Sequence, residues 1–233
     1  MNKTYTTLFF DLDHTLWDFD ANSAATLKVL YDTFNLKAKG INDFNVFVPR
    51  YEYHNEFLWA QLRAGTISRV DLRWKRMALV LQEYGIDDIE LAMQMSALYL
   101  EILPKQGLLI DGALELLEYC KQKGYAMHLM TNGFETTQRE KLATSNIGRF
   151  FEHIITSESA NAMKPHAPIF EYAVQLANIN IADAIMIGDS YEADITGAMQ
   201  VGMDQIYYNP LNLECNPKPT FTVKSLSDML DIL

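Results

Sequence analysis

The sequence predicts an α/β fold: a central parallel sheet, interrupted after its first strand by an inserted four-helix domain. Two observations lead there. Five short apolar runs, Tyr5–Phe10, Tyr125–Thr131, Phe151–Ser157, Ala184–Gly188 and Gln205–Tyr208, read as strands, and the last four are each separated by ten or more residues of helical pattern. Strands so far apart in sequence pair in parallel through helical crossovers. Residues 19–102, by contrast, show helical periodicity throughout and no strand-like alternation. An all-helical block of that length following the first strand is a second domain, so the predicted boundaries are 1–18 with 103–233 for the core and 19–102 for the insert.

Taken in order, the strand Tyr5–Phe10 opens the chain. Breaks at Lys39-Gly40, Gly65 and Gly85 divide the insert into helices at about 20–36, 43–64, 68–84 and 87–102. In the core, Asp111 precedes a helical run that Gly124 ends, Pro165 and Pro168 open the run PIFEYAVQLAN, and Gly202 closes EADITGAMQVG. Residues 209–220, NPLNLECNPKPT, read as an irregular, proline-bearing excursion.

Composition bounds what such a fold could do. Thirty acidic residues against nineteen basic give 233 residues a net charge of −11, which argues against a nucleic-acid polymer as partner because phosphate backbones need a basic stripe. A hydrophobic fraction of 49% suffices for a sizeable core and excludes disorder for most of the chain. No stretch approaches the ~18 uninterrupted apolar residues of a membrane span, and the N-terminus reaches aspartates before an apolar leader could form. A cytoplasmic protein with no membrane partner is expected, as a monomer or homodimer. Cys120 and Cys215 lie far apart with no Cys-x-x-Cys partner, so both are expected to be reduced thiols.

The residues with chemical potential fall at predicted strand ends, where open α/β sheets bind ligands. Asp11 and Asp13 follow the first strand, and alternation along an extended chain puts both on one face. A hard divalent cation such as Mg²⁺ suits such carboxylates. Thr131-Asn132-Gly133 offers a hydroxyl, an amide and backbone N–H groups, and Lys164 a single ammonium. Gly188-Asp189-Ser190 ends a later strand, with Glu192 and Asp194 just beyond. Acids for a metal, neutral donors and one lysine together describe a phosphoryl site.

The order Asp11-x-Asp13-x-Thr15, Thr131-Asn132, Lys164-Pro165 and Gly188-Asp189-Ser190 with Asp194 resembles the haloacid dehalogenase superfamily of phosphotransferases, over essentially the whole chain. The helical insert matches the position of that superfamily's type-1 cap, and the run Asp11-Leu12-Asp13-His14-Thr15-Leu16-Trp17-Asp18-Phe19 looks like its bacterial pyrimidine 5′-nucleotidases. The resemblance implies a Rossmann-like core and Mg²⁺-dependent hydrolysis of a small phosphorylated metabolite, a nucleotide in the narrower reading. It implies Asp11 as nucleophile, Asp13 as proton donor and then acceptor, and Thr131 with the Asn132 backbone holding the phosphoryl oxygens. Lys164 would neutralise charge there. Mg²⁺ would be held by the side chains of Asp11 and Asp189 and the backbone carbonyl of Asp13. Asp194, chosen over Glu192 by the superfamily's longer spacing, would orient Lys164 or a metal-bound water from behind the site, alongside Thr15. True dehalogenases lack the second aspartate, so Asp13 and Asp189 argue against that chemistry. A sugar-phosphate or phosphoglycolate phosphatase and a phosphomutase stay open, and so, in another class, does a binding protein without chemistry.

The leaving group is harder to read. Arg63, Arg69, Arg73, Lys75 and Arg76, with Asp71 as the one acid among them, either draw in an anionic substrate or form a solvated helix face. Tyr51, Tyr53, His54, Phe57 and Trp59 either stack on a base or fill the insert's own core. Trp17 and Phe19 follow the catalytic loop directly and are the better candidates for substrate contact. His128, inside an apolar strand, is expected to be a core or flanking side chain.

Overall fold

The computed structural model describes residues 4–233; residues 1–3, which the predicted core also includes, lie outside it. The chain divides into two compact units, one of Met1–Phe19 with Gly107–Leu233 and one of Asp20–Gln106.

The first unit is built on six parallel strands: β1 (Thr7–Phe10), β2 (Ala126–Thr131), β3 (His153–Thr156), β4 (Ala184–Gly188), β5 (Asp204–Tyr208) and β6 (Phe221–Val223). Their order is β3-β2-β1-β4-β5-β6. β1 and β4 are buried at every residue, which explains why they read as unbroken apolar runs rather than alternating ones. Because the order reverses at β1, the chain leaves β1 and β4 in opposite directions, and their carboxyl ends open a crevice. Register sets the two ends level: Phe10 lies opposite Ile187, and the Asp11 N–H donates to the Ile187 carbonyl at 2.9 Å. β2 on the other side of β1 brings Leu129 opposite Phe10, so Thr131 ends just past the same level.

Five predicted strands are present, and β6 is a sixth that the sequence did not reveal. Three residues, Phe221–Val223, are too few to show a period, and they join the sheet only as an edge beside β5. The crossover helices are α5 (Ala113–Lys123), α6 (Glu135–Thr144), α7 (Ala167–Ala177) and α8 (Gly197–Gln200). Gly124 caps α5 in the left-handed conformation, at φ +84°, as its place in the sequence predicts. The expected helix over 192–202 is regular only in α8. Before it, Tyr191–Thr196 forms a wider π-helical turn in which the Ser190 carbonyl accepts from both the Asp194 and Ile195 N–H groups.

The second unit holds α1 (Phe19–Thr33), α2 (Phe44–Arg63), α3 (Arg69–Glu83) and α4 (Ile89–Ile102), close to the four expected spans. Asp43 and Asp88 cap α2 and α4, and Ser68 with Asp71 forms a reciprocal capping box on α3. The basic run does not form one surface: Arg76 turns inward at 3% exposure, donates to Asn55 and packs on the Tyr99 ring, while Arg73 is exposed. Arg63 pairs with Glu56 and Lys75 with Asp71. The aromatic set divides too. Tyr51 is fully buried, whereas Tyr53 and Phe57 are exposed and His54 pairs with Glu83. Among the described residues no helix is long and apolar enough to cross a membrane.

Candidate active site

The turn after β1 is set by one carbonyl. Leu12 O accepts from the N–H groups of Leu16 and Trp17, each at 2.9 Å, and His14 adopts φ +64° to close the loop. Asp11 and Asp13 are thereby presented at the end of the strand. Asp11 is buried, and its Oδ1 lies 2.6 Å from Lys164 Nζ. The same ammonium is 2.6 Å from Asp194 and donates to the Met130 carbonyl at 2.7 Å. Lys164 arrives there because Asn132 grips its backbone in both directions, Asn132 Nδ2 donating to Lys164 O at 2.9 Å and Lys164 N donating to Asn132 Oδ1 at 2.8 Å. The Asn132 side chain therefore fixes the lysine.

Asp189 is set by Thr15. The Thr15 hydroxyl donates to Asp189 Oδ1 at 2.9 Å and accepts from the Asp189 N–H at 3.0 Å, which ties the β1 and β4 loops together. Asp194 is buried and accepts from Ser190 N at 3.0 Å, while Glu192 is exposed, so the side chain beside Lys164 is Asp194. Gly188 makes room for it: a Cβ there would overlap the Asp194 carboxylate.

Asp11, Asp189 and Asp194 offer oxygens that all lie within 4.8 Å of one another. Burial pushes the Asp11 carboxyl up to about 7, against the pull of Lys164 and with a further push from Asp194. Burial and the Asp11 charge push Asp189 up to about 6. Lys164 is raised as well: burial opposes its charge, and the two facing carboxylates outweigh that burial. Fully ionised, three carboxylates against one ammonium would leave two surplus negative charges in a buried space, which is what raises the acids. A hard divalent cation on oxygen ligands would cancel them, so the residues present fit such an ion.

Thr131 ends β2 with its hydroxyl accepting from the Gly133 N–H at 3.1 Å and from Gln138 Nε2 at 2.8 Å. A hydroxyl has two acceptor lone pairs and one proton, so with both lone pairs engaged the proton is left to donate elsewhere. Asp13 is held by two side chains that the sequence reading passed over. Lys141 Nζ lies 2.6 Å from Asp13 Oδ1, and Gln138 Nε2 donates to Asp13 Oδ2 at 3.0 Å. Both are buried on α6, three residues apart on one face. Their only signal in the sequence is a helix stripe, Phe134, Gln138, Lys141, Leu142, in which polar residues occupy inward positions. Trp17 is fully buried with its ring 4.2 Å from Lys141 Nζ, and Phe19 lies 5.4 Å from the same atom.

The arrangement can be set beside known proteins. Residues 5–202 match the haloacid dehalogenase-like hydrolases. The chain belongs to that family. Its relatives include pyrimidine 5′-nucleotidase PynA of Streptococcus pneumoniae, 35% identical over 98% of this chain and 95% of that protein. Pyrimidine 5′-nucleotidase YjjG of Escherichia coli is 26% identical over 97% of this chain and 96% of its own length. The crystal structure of the HAD-hydrolase YfnB of Bacillus subtilis bound to magnesium superposes with a TM-score of 0.89 at 30% identity, covering 99% of both chains. The protein is therefore a hydrolase with a haloacid dehalogenase-type core.

Proposed function

We propose that the protein is a Mg²⁺-dependent phosphatase of small phosphate monoesters, acting through an aspartyl-phosphate, with pyrimidine nucleoside 5′-monophosphates as its substrates. The observation that carries the chemistry is the buried Asp11 carboxylate set 2.6 Å from Lys164, with a second aspartate two residues on. Asp11 is the only one of the clustered acids that stands at the end of the central strand with a cation beside it and a proton-transfer partner in the same loop. The substrate class is supported by the names of two relatives matched along nearly their whole length.

In this reading Asp11 attacks phosphorus and the P–O bond to the leaving oxygen breaks, while Asp13 gives that oxygen its proton. Water then attacks the aspartyl-phosphate, Asp13 takes the water's proton, and phosphate leaves. The Thr131 hydroxyl and the Asn132 backbone hold phosphoryl oxygens, and Lys164 balances their charge as Asp194 and Asn132 keep it in place. Mg²⁺, held by Asp11, Asp189 and the Asp13 carbonyl, would supply charge neutralisation at the transferring group.

The test is a phosphate-release screen of the wild-type chain across nucleoside 5′-monophosphates, sugar phosphates and phosphoglycolate, with and without Mg²⁺. Release from UMP, CMP or TMP that outpaces the others and requires the metal is expected. Metal-dependent release confined to sugar phosphates would overturn the substrate assignment. Failure on every compound, an aryl phosphate included, would turn the reading into that of a binding protein.

A further inference from the structure

Lys141 and Gln138 have no part in attack at phosphorus, yet both are almost wholly inaccessible, at 2% and 1% exposure. A lysine is rarely buried unless its charge is answered, and here Asp13 Oδ1 answers it at 2.6 Å. The ammonium rests on the Trp17 and Phe19 rings, which limit its alternatives. Gln138 bridges two groups with two roles, giving one N–H to Asp13 and the other to the Thr131 hydroxyl. Its path across the loop depends on Gly133, where a Cβ would come within 2.5 Å of the Gln138 amide. Both carboxylate oxygens of Asp13 are thus held from one helix face, and its position is registered against the hydroxyl that would hold a phosphoryl oxygen.

We propose that Lys141 and Gln138 are positioning residues for proton transfer by Asp13, an inference that rests on the phosphatase reading. The proton moves from the Asp13 carboxyl to the leaving oxygen as the P–O bond breaks. The carboxylate left behind is the species that one ammonium and one amide N–H are placed to receive. When water later attacks the aspartyl-phosphate, its proton returns to the same oxygen pair. Loss of the clamp therefore weakens the step that needs a proton more than the step that does not.

The experiment uses the full chain with Mg²⁺ and compares two leaving groups by kcat/KM, which reports the chemistry up to departure of the first product. p-Nitrophenolate departs without a proton, whereas the 5′-alkoxide of UMP must be protonated. For Lys141→Met, kcat/KM with UMP is expected to fall about 100-fold and with p-nitrophenyl phosphate about threefold, in line with the ordinary worth of general acid catalysis. Lys141→Arg, which restores a cation of similar reach, should recover most of the UMP loss. Gln138→Met leaves no buried charge behind, so it decides the matter if Lys141→Met does not fold, and it should show the same asymmetry at about tenfold against UMP. Equal losses on both substrates, or no loss on either, would overturn the positioning role. A wild-type chain that hydrolyses neither substrate would instead overturn the phosphatase reading itself.

Discussion

Lys164 and Lys141, in the sheet-bearing unit, each keep only 2% of the side chain exposed and pair with carboxylates at 2.6 Å. Lys28 and Asp32, in the helical unit, make an equally short pair with 52% and 62% exposed. The geometry is the same and the energetics are not. An exposed pair contributes about 0–1 kcal/mol, whereas a buried one offsets its own desolvation and seldom adds net stability. Charges kept inside the first unit are therefore explained by what they do at the carboxyl ends of β1, β2 and β4, and exposed charges such as Lys28 and Asp32 on the helical unit by solvation.

The largest effect that could break this contrast comes from Lys164. Lys164→Met strands Asp11 and Asp194 in a buried space, and unfolding by denaturant without metal should show a loss of about 3–5 kcal/mol. A loss below about 1 kcal/mol would make the buried pair no different from a surface one.

His128 sharpens the contrast from another side, since it is buried in the same sheet and the Glu152 charge is too weak to offset that burial. Burial holds its imidazole below the ordinary 6.5, the stacked His153 adds to this, and its Nδ1 has no hydrogen-bond partner. A group whose folded value is depressed binds fewer protons when folded, so its contribution is present at neutral pH and is lost as pH falls below the unfolded value. Stability measured at about pH 7 and about pH 5 should fall less in His128→Phe than in the wild type. An unchanged slope would show that the ring is not felt as buried. The smallest effect belongs to Lys28: Lys28→Met should change stability by about 0.5 kcal/mol or less.

The same contrast governs what could be read from the sequence. β1 and β4 announce themselves because a strand covered on both faces must be apolar throughout, and the acids at their ends stand out against that background. Asp11, Asp13, Thr131 and Asp189 stand at or just beyond strand ends, whereas Lys164 lies eight residues past β3 and reaches Asp11 through the grip of Asn132 on its backbone. Gln138 and Lys141 could not be placed from the sequence, because a polar residue inside a helix looks like surface until its partner 125 or more positions away is known. Arg76 misled for the mirror reason: spacing puts it with Arg69 and Arg73, but only packing against Asn55 and Tyr99 reveals that it turns inward. β6 was missed through brevity, and so was the π-helical turn, since six residues are too few to show a period of their own.

The central claim, that Asp11 is the nucleophile, is tested most directly by Asp11→Asn assayed with UMP and Mg²⁺ alongside the wild type, with circular dichroism to confirm the fold. The amide keeps the shape of the side chain and cannot form the acyl phosphate, so turnover should fall by about 10⁴-fold or more with the spectrum unchanged. A folded variant that retained even about 3% of wild-type turnover, well above the residue expected when a covalent nucleophile is removed, would contradict the account.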